Sequence, residues 1–140
     1  MLDALNASLR IAGSGIQAQS ARLKVIAENI SNANSTGSTP GADPFSRKTV
    51  TFESEMNRAS GVALTKVKSI GVDAAPFPIE HSPGHPAADV DGNVKMPNVD
   101  ILVETADMRD ATRAYEANLQ VVKQSRDLLS MTLDLLKGTG

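Results

Sequence analysis

The sequence contains no cysteine and no tryptophan, and its aromatic residues are limited to one tyrosine and three phenylalanines among 140 residues. Without cysteine the chain forms no disulfide and offers no thiolate nucleophile or metal ligand, so it does not depend on the redox state of its compartment. Because so few side chains can each bury a large apolar area, we expect a weakly stable monomer.

An excess of charge of either sign is also missing. Fourteen basic and sixteen acidic residues leave a formal charge of -2, so electrostatics gives no reason to expect binding to nucleic acid or to an anionic membrane surface. No stretch approaches the roughly 20 apolar residues of a membrane-spanning helix. Residues 1–10 lack the basic and then apolar pattern of a cleaved secretory signal, and none is expected.

Sequence motifs of catalysis and metal binding are absent as well. His81 and His85 are four residues apart, but Pro83 and Gly84 between them exclude the helix that would direct both imidazoles at one metal. Residues 89–92 resemble part of a calcium loop, but no glutamate follows at the required spacing. The chain has no phosphate-binding loop and no nucleophile elbow. The sequence therefore predicts no enzyme, no cofactor and no metal site.

A repeated spacing of three and four residues marks the N-terminal part of the chain. It predicts a helix from about Asp3 to Asn32, roughly 45 Å long at about 1.5 Å per residue. Gly13 and Gly15 each cost about 1 kcal/mol in a helix interior but permit close approach of a neighbouring helix. We therefore expect this helix to become stable when a partner covers its seam. The seam positions are Leu2, Leu5, Leu9, Ala12, Ile16, Gln19, Leu23, Ile26 and Ile30.

The C-terminal part repeats this design. The spacing predicts a second long helix from about Ile101 to Lys137, with either Asn98 or Asp100 as its N-cap. Thr112 and Arg126 interrupt the apolar frame. The apolar and aromatic positions of the frame are Met108, Tyr115, Leu119, Val122, Leu129, Leu133 and Leu136.

Between the helices, Ser35 to Pro97 contains all seven prolines and six of the ten glycines, which excludes a long helix. Residues 49–53 alternate as in a half-buried strand, Val62 to Val72 gives a weaker strand signal, and Asp91-Gly92 is a hairpin-turn dipeptide. The predicted fold is mainly α, with long N- and C-terminal helices that form an antiparallel, coiled-coil-like pair and a small irregular β-containing insertion. The predicted segments are 1–34, 35–97 and 98–140.

Two stretches resemble a known family. Leu23-Lys-Val-Ile-Ala-Glu-Asn-Ile-Ser-Asn-Ala-Asn34 resembles the N-terminal signature of the bacterial flagellar axial proteins, the rod, hook and hook-associated group, with Asn29, Asn32 and Asn34 carrying the match. The segment from His85 to Asp100, followed by Arg-Ala-Tyr-Glu-Ala-Asn at 113–118, resembles the proximal rod proteins of FlgC type.

The resemblance implies a structural subunit of the flagellar basal body in the periplasmic rod. Such a subunit would be exported unfolded by the flagellar type III apparatus, assemble helically, transmit torque and line the export path. Its expected partners are copies of itself, other rod proteins, the inner-membrane ring with a rod-base adaptor, and the export apparatus. The expected assembly interface is Leu2, Leu5, Leu9, Ile16, Leu23, Ile26, Asn29, Ile30, Asn32, Asn34, Pro97, Asn98, Val99, Asp100, Met108, Tyr115, Asn118, Leu119, Val122, Leu129, Leu133 and Leu136.

Three alternative functions are weighed against this one. Another rod or hook-base subunit would share the asparagine-rich word, but Lys95-Met-Pro-Asn-Val-Asp100 discriminates against it. A cytoplasmic adaptor or chaperone with a helical hairpin would be a stable helical monomer, whereas a rod subunit would be partly disordered at both termini when alone. An enzyme would require a bound metal or cofactor in the purified chain.

Overall fold

The computed structural model describes residues 1–138, and it confirms two long terminal helices around a small β insertion. Helix α1 spans Leu2–Ser31 and helix α2 spans Ile101–Gly138. The insertion contains strands β1 (Lys48–Asn57), β2 (Val62–Val72), β3 (Ile79–His81) and β4 (Asn93–Lys95). No helix among the described residues is long and apolar enough to cross a membrane.

The end of α1 is defined by asparagine chemistry. The Asn32 side-chain amide donates to the carbonyl of Glu28 at 2.9 Å, while the Ser35 hydroxyl donates to Asn32 Oδ1 at 3.0 Å. The same carbonyl also accepts from the backbone N–H of Asn32 at 3.1 Å, so the side chain adds a second hydrogen bond to the last turn. The asparagines of the signature therefore include a helix-ending residue.

Asp100 is the N-cap of α2. Its Oδ1 accepts hydrogen bonds from the backbone N–H groups of Leu102 at 2.9 Å and Val103 at 3.4 Å, as an N-cap carboxylate does. The other candidate, Asn98, points its side chain elsewhere and accepts from the backbone N–H of Arg47 at 2.7 Å. The structure thus separates the roles of two residues that sequence spacing could not distinguish.

The four strands form two separate two-stranded sheets. The turn between β1 and β2 includes Gly61 at a φ of 65°, where its N–H donates to the carbonyl of Asn57 at 2.8 Å. Strands β3 and β4 are antiparallel, with Glu80 opposite Val94. Both predicted strands of the first sheet are therefore present, and β1 extends beyond residues 49–53, whose alternation predicted it.

The turn that precedes β4 depends on Gly92. Its φ of 77° lies in the left-handed region, and a Cβ at this position would lie 2.9 Å from Cγ of Pro83. Asp89 closes the same turn, because its Oδ1 accepts from the backbone N–H groups of Asp91 and Asn93, each at 2.9 Å. The predicted turn at Asp91-Gly92 is therefore observed.

We expect Gly92→Ala to lower the free energy of unfolding by about 1 to 3 kcal/mol, because it combines an unfavourable φ with a steric clash. Gly84→Ala is the matched control, since an added Cβ there meets no atom within 4 Å. Urea denaturation followed by circular dichroism measures both variants. Equal midpoints for the two would contradict the structural role assigned to Gly92.

The chain divides into two compact units, and each terminal helix contributes to both. Unit 1 contains Met1–Arg22, Phe52–Lys68 and Asp110–Gly140, and unit 2 contains Leu23–Thr51 and Ser69–Arg109. The buried residues of unit 1 are small, namely Ala12, Ala18, Ala111 and Ser125. Those of unit 2 include Val25, Ile26, Ala33, Ala87 and Val94. Small side chains bury little area each, in keeping with the expected weak core.

Candidate assembly site

A buried asparagine organises unit 2. Asn29 is only 1% exposed, and its side-chain amide makes two hydrogen bonds with the backbone of Lys48, one as acceptor and one as donor. Asn29 Oδ1 accepts from the N–H of Lys48 at 2.8 Å, and Nδ2 donates to the carbonyl of the same residue at 2.9 Å. The end of α1 is therefore tied to the first residue of β1.

The same asparagine contacts a buried carboxylate. Nδ2 of Asn29 donates to Oε2 of Glu104 at 3.0 Å, and Glu104 is completely buried in the first turns of α2. The other oxygen, Oε1, accepts from Nε of Arg47 in a salt bridge. Because a buried charge is tolerated only when it is paired and hydrogen-bonded, Glu104 depends on both neighbours.

Arg47 is surrounded by acidic groups. One guanidinium nitrogen lies 3.3 Å from Oδ2 of Asp73, and another lies 3.8 Å from Oδ2 of Asp107. Partial burial alone would lower the pKa of Arg47, but the hydrogen bonds and charges of Glu104 and Asp73 outweigh it and raise the pKa above its ordinary value. Because the pKa of Arg47 is higher in the folded than in the unfolded chain, its positive charge stabilises the fold at every pH below the ordinary arginine pKa. This stabilisation is lost only when the pH rises through the folded-state pKa, in strong alkali.

Asn98 completes the group, which we call the polar cluster: Asn29, Arg47, Asp73, Asn98 and Glu104. The side chain of Asn98 accepts from the N–H of Arg47 and donates to the carbonyls of Asp73 at 3.2 Å and Ala75 at 3.0 Å. The N–H of Asp73 donates to the carbonyl of Arg47 at 2.8 Å. The cluster thus joins the end of α1, the start of β1, the segment after β2 and the start of α2.

The hydrogen bonds and salt bridges described for the polar cluster join groups of this chain to one another. Among residues 1–138, no group of three or more histidine, cysteine, aspartate or glutamate side chains could hold a metal ion. The amide of Asn29 and the carboxylate of Glu104 already have protein partners. What this arrangement does chemically is to fix backbone segments to one another.

In unit 1, α1 and α2 approach each other closely at a glycine. A Cβ at Gly15 would lie 2.7 Å from Nδ2 of Asn118, which itself donates to the carbonyl of Ala114 at 2.9 Å. On the same part of α1, the hydroxyl of Ser14 accepts from the backbone N–H of Thr65 at 3.2 Å. The small residues of α1 therefore admit neighbouring elements within this chain.

Gly13 and Gly15 give a matched pair of variants. Gly13→Ala is expected to raise the free energy of unfolding by about 1 kcal/mol, because no atom lies within 4 Å of the added Cβ and alanine favours the helix. Gly15→Ala gains the same propensity but must displace Asn118, which costs a hydrogen bond and close packing, so no net gain is expected.

Thermal unfolding followed by circular dichroism compares the two alanine variants. The difference between them should be at least about 1 kcal/mol and should shrink when Asn118 is also alanine, since the obstacle is then removed. Equal stabilisation by both alanines would contradict the close approach at Gly15.

The residues expected at the assembly interface differ widely in exposure. Of the N-terminal seam, Ile26 is buried, Leu2 is exposed, and Leu5, Leu9, Ile16, Leu23 and Ile30 are half-buried. Of the C-terminal seam, Leu133 and Leu136 are exposed, and Met108, Tyr115, Asn118, Leu119, Val122 and Leu129 are half-buried. Of the signature residues, Asn29 and Pro97 are buried, Asn32, Asn98 and Val99 are half-buried, and Asn34 and Asp100 are exposed.

Two interruptions of the C-terminal seam have a structural explanation. Thr112 and Arg126 are exposed, whereas the residues just before them, Ala111 and Ser125, are buried at 0% and 5% exposure. At these two points the buried position on α2 is a small residue, Ala111 or Ser125, which directly precedes the position that the apolar frame predicted.

Sequence reasoning did not identify Arg47 or Glu104. The two lie 57 positions apart, and neither belongs to a repeat or a motif. A single carboxylate placed after three apolar residues at the start of α2 is a weak signal of burial, but its partner is identifiable only in three dimensions.

Two long helices, a unit 1 core of small residues and a polar cluster directed inward are typical of a structural, assembly-type protein. Two family models match the chain: flagella basal body rod protein over residues 9–39, and flagellar basal body rod FlgEFG protein C-terminal over residues 90–135. The first match includes most of α1 with its asparagine signature, and the second includes most of α2.

The curated relatives agree with the family models. The chain is 59% identical to the flagellar basal-body rod protein FlgC of Agrobacterium fabrum, with 99% of each chain covered. It is 40% identical to FlgC of Salmonella typhimurium over 89% of this chain and 92% of that protein. It is 33% identical to FlgC of Borreliella burgdorferi over 96% and 99%. The chain belongs to the FlgC family of flagellar basal-body rod proteins.

Family membership confirms the predicted resemblance and the location in the periplasmic rod of the flagellar basal body. It makes the chain a structural rod subunit that assembles with other flagellar rod proteins, in a family that is not a class of enzymes. The adaptor alternative is set aside on this evidence.

Proposed function

We propose that this chain is a proximal rod subunit that assembles helically through its terminal helices, transmits torque and contributes to the wall of the export path. The observation that carries the proposal is the apolar surface that both helices leave outside the chain's own cores. Leu2 is 42% exposed and Ile11 49% in α1, while Leu128, Met131 and Leu133 of α2 are 52%, 63% and 45% exposed. Such surface is costly in water and is typical of an interface.

The mechanical part of the proposal rests on the shape of the contacts. Apolar side chains repeated along helices of 30 and 38 residues distribute a load over many small contacts. The polar cluster then fixes the insertion to both helices, so that the subunit transmits force through hydrogen-bonded backbone segments. No turnover chemistry is required for this role.

The functional division into segments 1–34, 35–97 and 98–140 is part of the same proposal. The first and last segments carry the assembly seams, and the middle segment contacts neighbouring subunits. Expected further partners are the inner-membrane ring with its rod-base adaptor, and the flagellar type III export apparatus, which the chain passes through unfolded. The core of unit 1 is built from small residues, which favours such passage because little buried area there must be exposed on unfolding.

Deletion of the gene tests the proposal. We expect electron cryotomography of the cell envelope to show basal bodies that stop at the inner-membrane ring, together with loss of swimming. Restoration of both by the intact gene is the control. Complete rods and normal swimming in the deletion strain, with no second copy of the gene, would refute the assignment.

A further inference from the structure

Unit 2 carries an apolar groove where helix α2 begins. We call it the unit 2 groove; it has a volume of about 530 Å³, and its apolar lining residues are Ala75, Pro76, Pro78, Val99, Ile101 and Leu102. Ile101 is 47% exposed and Leu102 is 82% exposed. Among residues 1–138, Asp100 is the only charged residue that lines the groove. Apolar surface of this kind outside a core is typical of an interaction site.

The turn between β1 and β2 presents an exposed apolar side chain close to an exposed basic one. We call this pair the hairpin tip: Met56, which is 60% exposed, and Arg58, which is exposed and has no ion-pair partner among residues 1–138. The turn between them is fixed, because Oδ1 of Asn57 accepts from two backbone N–H groups of the turn at 3.1 and 3.2 Å. Glu55, which precedes Met56, is paired with Lys66, so the charge that the tip presents is that of Arg58.

The two units carry opposite net charges. Unit 1 contains nine basic and seven acidic residues, a net charge of +2, whereas unit 2 contains five basic and nine acidic residues, a net charge of -4. Residues 69–94 contain four acidic residues and no lysine or arginine. Arg47 and Lys95 are already paired with carboxylates of unit 2. Arg109 lies beyond the groove, roughly 10 Å along α2 from Leu102. Two copies that met through unit 2 would therefore repel one another, whereas unit 1 of one copy attracts unit 2 of another.

We propose that the hairpin tip of one copy of this chain binds the unit 2 groove of a second copy. Met56 then lies against Leu102 and the prolines of the groove, and Arg58 lies near Asp100. Only Oδ1 of Asp100 takes part in the helix cap, so Oδ2 can accept from a guanidinium. Because the two surfaces differ, the contact is heterologous and repeats from copy to copy. The inference rests on the proposed helical assembly and adds to it a contact made by the β1–β2 turn.

Disulfide trapping tests this contact directly, since the chain has no cysteine of its own. A strain would produce an M56C chain together with a tagged L102C chain in place of the natural one. Swimming and complete rods in this strain show that the subunits assemble, independently of which surfaces meet. If either substitution blocks assembly, Arg58→Cys or Ile101→Cys replaces it on the same surface. The matched control combines M56C with V90C, because Val90 is fully exposed in unit 2 but does not line the groove.

Basal bodies are then isolated and oxidised. We expect mixed dimers of M56C and L102C at several times the amount of either homodimer, and at several times the amount of mixed dimers in the control strain. Equal amounts in the two strains would overturn the proposal, because the disulfide would then not depend on the groove. Assembled rods that yield no mixed dimer would also overturn it, because the hairpin tip would then lie elsewhere. Rods and swimming are scored separately, so the proposed function would stand in either case.

Discussion

Replacement of Glu104 by alanine is expected to lower the free energy of unfolding of the purified chain by about 3 to 5 kcal/mol. The carboxylate is completely buried and is shared by Asn29 and Arg47, so its removal leaves a cavity and takes one hydrogen bond from the amide and the shortest ion pair from the guanidinium. Urea denaturation monitored by circular dichroism provides the measurement. A loss of that size is a large fraction of the free energy of unfolding of a small domain, which is about 5 to 15 kcal/mol.

The exposed salt bridge between Asp43 and Lys95 provides the control. Its side chains are 70% and 41% exposed, so Asp43→Ala should change stability by less than about 1 kcal/mol. A Glu104→Ala loss no greater than that of Asp43→Ala would contradict the role assigned to the polar cluster.

A double-mutant cycle separates the pair from its surroundings. Arg47→Met combined with Glu104→Leu removes both charges and supplies apolar volume, so the double variant should be more stable than the summed losses of Arg47→Met and Glu104→Leu predict. If the double variant is as unstable as the sum of the single variants, then Arg47 and Glu104 do not act as a pair.

Placing a charge at Leu129 is expected to stop rod growth and abolish swimming. Leu129 is half-buried, so part of its side chain is still open to a neighbouring subunit, and an aspartate there would have to be desolvated, at a cost of several kcal/mol, where a subunit covers it. Motility in soft agar and electron cryotomography measure the effect, and immunoblotting confirms that the chain is still produced. Aspartate at Leu9, also half-buried, should have the same result.

Ser130→Asp is the matched control, because the neighbouring Ser130 is exposed and the same charge is introduced one position away. Ile26→Asp should differ from both. Ile26 is only 4% exposed, so a charge there should already destabilise the isolated chain. Normal rods in a Leu129→Asp strain would show that this face of α2 takes no part in assembly.

The helices were predictable because their signals are local. Apolar spacing, an acidic cap and a final asparagine are each read within a few residues, and the predicted limits lie within one residue of Leu2–Ser31 and Ile101–Gly138. The strands were less clearly predicted, because in an exposed two-stranded sheet the two faces differ little in burial and the sequence alternates only weakly. Strand β2 is mostly exposed, so alternation along it is weak.

The site was only partly predictable for a different reason. Asn29 was found through a resemblance that marks positions without stating what they do, whereas Asn98 and Asp100 were also predicted as alternative N-caps of α2. The structure gives Asn29 and Asn98 backbone partners, and it makes Asp100 the helix cap. Arg47 was not predicted at all, because the structural role of a charged side chain depends on the groups around it, and those of Arg47 are distant in the sequence.

The sequence alone determined the two long helices and the absence of cysteine chemistry, because these follow from composition and from spacing along the chain, and it indicated the family through the resemblance of two stretches. Only the tertiary structure decided which faces of the helices are covered by the chain itself and which polar groups meet. Burial of Glu104 with Asn29 and Arg47, and the exposure of Leu128 and Met131 beside half-buried Leu129, depend on packing between distant segments. Periodicity shows that a helix has an apolar face, but geometry in three dimensions determines what lies against it.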